Sequence, residues 1–325
     1  MMGSEYRLFR PVVVFAVLAL MGGGGGCSPS EEASPLEENG ESGPQDTLSV
    51  AWKHEYRPVK VAPQTPPEVV EVGGDSLVLF AGGARLNALR VGDGTVEWTF
   101  GLDAAMELYC DGLIVENTAA FCSHRYKALS WDLRDGRQRW TFTPPSGSAS
   151  GKEFYDLGYN GLGPDHFWGS GRGGRVFGVD RKTGELAHEW TYASRTTGIA
   201  YQDGALYLGR YDDSEQGQGY GSLTKVDATS GDSLWTFEPE YGAFITMRPL
   251  LDEGRVYMGT AAYSEKGVFV ALDQKTGEVI WRNQRARVYW AIWAETPNGG
   301  SVFVNTGQAL VALDPEDGDT LWRAD

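Results

Sequence analysis

Cys110 and Cys122, in YCDGLIVENTAAFCSH, stand symmetrically about Glu116 and Asn117. A hairpin turning there would set the two cysteines opposite each other on adjacent strands, a separation that suits a disulfide; the other reading is two buried free thiols. The four histidines, His54, His124, His166 and His188, are scattered along the chain and read as surface or turn residues rather than as a site. The sequence has no C-x-x-C, no H-E-x-x-H and no G-x-S-x-G elbow, so no metal site, catalytic nucleophile or cofactor is expected from motifs. Gly169-Ser-Gly171-Arg-Gly-Gly174 matches G-x-G-x-x-G formally but lies between two predicted strands, where no helix N-terminus can receive a phosphate. It reads as a hairpin. The loop YDDSEQGQGYGS, with Asp212, Asp213 and Glu215, lacks the ordered spacing of a calcium loop and reads as a solvated insertion.

The third cysteine belongs to a targeting segment. Arg7 and Arg10 precede an apolar run from Pro11 to Met21, which is followed by five glycines and Cys27. That order is a charged region, an apolar region too short to span a bilayer, and small residues before a cleavage point. It resembles a bacterial lipoprotein signal, which implies removal of residues 1–26 and acylation of Cys27. The departure is Gly24, three positions before the cysteine, where that pattern usually has Leu; an ordinary secretory signal is the alternative. Assigning Cys27 to a lipid leaves Cys110 and Cys122 as an even pair in an oxidising compartment. Residues 27–47 are rich in Ser, Pro, Glu and Gly and read as a disordered tether.

The rest of the chain must position whatever function exists. With 44 Gly, 15 Pro, 11 Trp and 15 Tyr, it favours many short strands joined by turns. A formal net charge of -16 argues against a sequence-independent grip on nucleic acid, which needs clustered Lys and Arg.

Internal repeats organise residues 48–325. Six segments, ALRVGDGTVEW, SWDLRDGRQRW, GVDRKTGELAHEW, KVDATSGDSLW, ALDQKTGEVIW and ALDPEDGDTLW, align on Gly94, Gly136, Gly184, Gly231, Gly277 and Gly318. They end at Trp98, Trp140, Trp190, Trp235, Trp281 and Trp322, and the glycines are 42, 48, 47, 46 and 41 residues apart. Such a period fits one four-stranded sheet per repeat, stacked around an axis. Asp132, Asp180, Asp227, Asp273 and Asp314 stand four residues before their Gly, with Arg90 the exception. The carboxylate is expected to accept backbone N–H groups, the Gly to take positive φ, and the Trp to cover the seam between neighbouring sheets.

The pattern A-x-D-x-x-T-G-x-x-x-W, almost intact in ALDQKTGEVIW, resembles the repeat of pyrroloquinoline-quinone (PQQ) type β-propellers. The resemblance implies an all-β propeller of four-stranded antiparallel blades. Six blades are recognisable, and Trp52 in LSVAWKHEY reads as an additional N-terminal closing strand; seven blades follow if residues 144–170 hide further strands. The family includes dehydrogenases, outer-membrane assembly lipoproteins of the BamB type and sensor domains. The dehydrogenases are about twice as long, usually eight-bladed, and carry adjacent cysteines over their cofactor, unlike the spaced pair here. The expected function is therefore a non-enzymatic, lipid-anchored, extracytoplasmic scaffold that binds a protein partner through its loops. Candidate contacts are residues 144–172 and 211–221. The alternatives are a small-ligand sensor and a PQQ-dependent enzyme.

Overall fold

The computed structural model describes residues 52–53 and 67–324, apart from 83–84, 102–112, 117, 125–126, 146–159, 213–219, 240–243, 246–247, 253, 262–266, 286–289, 297–298 and 307–308. Cys27, Cys110, His54, Asp213 and Glu215 lie outside the described residues, as do the signal, the tether and most of the two candidate contact loops.

Twenty-five strands form six antiparallel sheets among the described residues. The first blade is β1 (Glu68–Val72), β2 (Asp75–Gly82), β3 (Arg85–Arg90) and β4 (Val96–Gly101). The second is β5 (Ile114–Glu116), β6 (Ala119–His124), β7 (Lys127–Asp132) and β8 (Gln138–Phe142). The third holds β9 (Gly161–Leu162), β10 (His166–Ser170), β11 (Arg175–Asp180) and β12 (Leu186–Thr191). The fourth holds β13 (Arg195–Gln202), β14 (Ala205–Asp212), β15 (Tyr220–Asp227) and β16 (Ser233–Phe237). In the fifth, β17 (Phe244–Ile245) and β18 (Leu250–Asp252) both pair with β19 (Arg255–Ala261), followed by β20 (Gly267–Asp273) and β21 (Val279–Arg285). The sixth is β22 (Trp290–Thr296), β23 (Gly299–Asn305), β24 (Leu310–Leu313) and β25 (Thr320–Ala324). The 144–170 region thus supplies β9 and β10 of the third blade, and Gly169–Gly174 links β10 to β11 through a short 3-10 turn.

Every repeat turn is built alike. The Gly N–H donates to the carbonyl of the residue four before it at 2.8–2.9 Å. The aspartate Oδ1 accepts the next free N–H groups: Lys182 and Thr183 at 2.8 Å on Asp180, Lys275 at 2.9 Å and Thr276 at 2.7 Å on Asp273. These bonds favour the ionised form, so Asp180, Asp227 and Asp273 sit below the usual carboxylate range, chiefly through backbone N–H donors. The first turn lacks the acid; there Arg90 is held by Glu97 and Asp75 instead.

The glycine has a second reason to be glycine. At Gly136 and Gly277 φ is +69 and +76, and a Cβ would also lie 2.6–2.7 Å from the indole of Trp98 and Trp235 respectively. Each turn is covered by the tryptophan of the preceding repeat. Trp52 lies on Gly94, Trp140 on Gly184, Trp190 on Gly231 and Trp281 on Gly318. Five of these indoles donate Nε1–H to the carbonyl three residues before the glycine: Trp52 to Val91 (2.7 Å), Trp98 to Leu133 (2.8 Å), Trp140 to Arg181 (2.9 Å), Trp235 to Gln274 (3.3 Å) and Trp281 to Pro315 (2.9 Å). Trp52 therefore takes the seam position of a preceding repeat, although residues 52–53 form no strand.

Five apolar clusters join the blades pairwise, first to second through sixth. Polar bonds reinforce them at the turns, as in the bidentate Arg255–Glu316 pair (3.0 and 2.6 Å) between the fifth and sixth blades. No apolar cluster of described residues joins the sixth blade to the first, and Trp322 stands 44 % exposed with its ring against Phe303 (5.7 Å). At the inner side, Arg248 ahead of β18 is solvent-exposed, yet desolvation by surrounding protein lowers its pKa, while Glu68 of β1 acts on it in the opposite sense.

Candidate functional surface

The outermost strands carry the largest exposed apolar side chains. Leu234 on β16, Ile280 on β21 and Leu321 on β25 are 55 %, 43 % and 52 % exposed. Each precedes the seam tryptophan, and strand alternation turns it to the opposite face. The residue before the tryptophan in the first three blades is Glu97, Arg139 and Glu189. All three charged side chains make ion pairs or hydrogen bonds within their own blade: Glu97 with Arg90, Arg139 with Asp132, and Glu189 with Arg175. Aliphatics thus occupy this position on the fourth to sixth blades, while Val96 on β4 (46 %) and Leu186 on β12 (39 %) are exposed at other positions of the outermost strands.

The third blade departs from the repeat. In the other blades the first residue paired beyond the β-bulge of the last hairpin is the tryptophan: Trp98 opposite Ala88, Trp140 opposite Ser130, Trp235 opposite Lys225, Trp281 opposite Ala271 and Trp322 opposite Ala312. In the third, that place opposite Gly178 belongs to His188, and Trp190 comes two pairs later, opposite Val176. The two extra residues between Gly184 and Trp190 displace the tryptophan along its strand. Trp190 still covers Gly231, but with its pyrrole side, and Tyr192 Oη donates to the Gly231 carbonyl at 2.9 Å.

The strand on the other side of Gly178 compensates. Its paired residue is Trp168, where the other blades have Leu79, Phe121, Tyr207, Tyr257 and Phe303. The Trp168 ring lies across Gly178, where a Cβ would sit 2.5 Å from it. Without a side chain there, rings from β10 and β12 meet over β11. Trp168 stacks on Trp190 (5.1 Å, 17°) and on His188 (5.5 Å, 27°), and His166 stands 4.9 Å from His188. Both histidines are half-buried, and His166 is paired with Asp180. Burial lowers the pKa of His188, with the His166 charge adding to the effect. Two histidines read as unrelated in the sequence are therefore neighbours; their 22-residue separation carries no local signal, and the only hint is the over-long Gly184–Trp190 spacing.

The cysteine hairpin also differs in detail from the symmetric reading. It pairs Glu116 with Ala119 and Ile114 with Phe121, so the same register continued sets Leu113 against Cys122. Cys122 is fully buried on β6 and disulfide-bonded. Asp212 ends β14, and among the described residues no three His, Cys, Asp or Glu side chains gather as metal ligands.

Comparison with known proteins places these repeats. A family profile described as "Outer membrane protein assembly factor BamB" matches residues 172–325. The quinohemoprotein alcohol dehydrogenase of Comamonas testosteroni is 25 % identical over 210 residues, covering 61 % of this chain and 23 % of that protein. The ADH IIB enzyme of Pseudomonas putida is 28 % identical over 140 residues, covering 38 % and 19 %. The chain thus spans about a quarter or less of the length of these relatives. In fold, it resembles BamB from Moraxella catarrhalis with a TM-score of 0.55 at 16 % identity, over 79 % of this chain and 76 % of that one. The Comamonas dehydrogenase structure gives 0.51 at 16 % identity, over 66 % and 42 %. Six antiparallel sheets, turns seated under tryptophans and these likenesses together make the chain similar to the PQQ-like, BamB-type β-propeller repeat family, whose profile matches its residues 172–325.

Proposed function

We propose that this propeller is tethered to the extracytoplasmic side of a bacterial membrane through Cys27 and acts by binding another protein, performing no chemistry and holding no cofactor. The observation that carries the reading is the row Leu234, Ile280 and Leu321 on three consecutive blades. Exposed aliphatics at one repeated position, replaced by self-paired charges on the other blades, fit a surface kept for a partner. The BamB likeness supports an envelope-assembly context, and the buried, bonded Cys122 supports a Cys110–Cys122 bridge formed after export.

The experiment is photo-crosslinking in native membranes from a probe placed at Leu234, Ile280 or Leu321, compared with the charged rim at Glu97. A discrete protein adduct from the three aliphatic positions, lost when the other two are changed to Asp, is the expected result. Equal yields from Glu97 and the aliphatic row would remove the proposal. The enzymatic alternative, favoured by the dehydrogenase relatives, predicts dye reduction by protein supplied with PQQ and Ca²⁺; the scaffold reading predicts none.

A further inference from the structure

We infer that His166 and His188 form a two-nitrogen site for a borderline divalent transition-metal ion, of the Cu²⁺, Ni²⁺ or Zn²⁺ class. The site exists because the third blade breaks the repeat in three places at once. His188 takes the tryptophan's paired position, Gly178 opposite it has no side chain, and His166 stands on β10 where the first, second, fourth and fifth blades have Leu77, Ala119, Ala205 and Arg255. A repeat that violates its own pattern at mutually adjacent positions is where function is to be sought.

The spacing suits chelation. Metal–imidazole bonds of about 2.0–2.1 Å put the centres of two rings sharing one ion roughly 4.5–5.5 Å apart; here the centres are 4.9 Å apart and the planes are inclined at 77°. The rings are also preorganised. His188 is packed against Trp168, itself buried and fixed across Gly178, and against Trp190 (5.4 Å). Partial exposure of both rings leaves the ion open to solvent on one side. Among the described residues no third His, Cys, Asp or Glu joins the pair.

Imidazole ligands order these ions with Cu²⁺ bound more tightly than Ni²⁺ or Zn²⁺. Titration of the full mature chain with CuSO₄ should therefore quench part of the tryptophan emission in a saturable, one-equivalent step, because Trp168 and Trp190 lie in the stack. The electron paramagnetic resonance spectrum should show hyperfine coupling to two imidazole nitrogens. His166→Gln and His188→Gln should each weaken binding at least about tenfold, whereas His124→Gln should not. Far-UV circular dichroism verifies that the variants fold, as the half-buried positions predict. Non-saturable quenching, or a saturable step that survives either substitution with the same midpoint, would overturn the site. So would a wild-type spectrum with a single nitrogen ligand.

Discussion

The turn glycines combine two constraints that can be separated experimentally. Gly277 and Gly204 share a left-handed backbone (φ +76 and +77), but only Gly277 lies beneath an indole; nothing lies within 4 Å of a Cβ at Gly204. Alanine at Gly204 should cost about 1–2 kcal/mol, the price of the left-handed backbone alone. Alanine at Gly277 should cost a further ~1–3 kcal/mol for overpacking against Trp235, read as the difference in urea-unfolding free energies. Ionisable residues at the same scale set the acid limb. Asp180, Asp227 and Asp273 are lowered by N–H donors, so their contribution is complete above the unfolded carboxylate value of about 3.9 and is lost as pH falls through their lower folded values. His188 is lowered by burial, so its contribution is complete above the unfolded histidine value of about 6.5 and declines below it. Stability should fall in two stages on acidification, and His188→Gln should abolish the upper stage; a wild-type profile flat from pH 7 to 5 would contradict this.

At the scale of the element, the hairpins were largely legible because their rules are local. An Asp four residues before a Gly specifies the turn through bonds within five residues of chain, and all six turns form where the spacing predicts them. Partnership between elements was less legible. The sequence shows that a tryptophan covers a seam but not which turn it seats, since that depends on the rotation from one blade to the next. The third blade was misread for a related reason: matching Trp190 to the other tryptophans hid the strand register, which gives their place to His188. The cysteine hairpin is centred later than its symmetry suggests because the chain turns at residues 117–118 rather than at Glu116–Asn117. Substitution tests the seam assignment. Trp281→Phe loses the indole bond to the Pro315 carbonyl and should destabilise by about 1–3 kcal/mol, while Trp322→Phe, exposed and without a seat, should stay within about 0.5 kcal/mol. Equal effects in thermal melts would refute the offset.

For the whole molecule, five cores between six blades make stability a sum of neighbour terms, as in other repeat proteins. Ending the chain after Arg285 removes Gly318 and should leave Trp281 unseated; acrylamide should then quench tryptophan emission more strongly than in the full chain, and unchanged quenching would argue against the neighbour rule. The direction of seating has a temporal side. Each tryptophan precedes the glycine that receives it, and successive glycines are 41–48 residues apart. In a chain delivered N-terminus first, a finished blade therefore keeps its indole bare until the next turn follows it. The emerging chain always carries one sticky leading edge, and the interval before it is covered, rather than the strength of any finished seam, sets the window in which neighbouring emerging chains can join the wrong blades together.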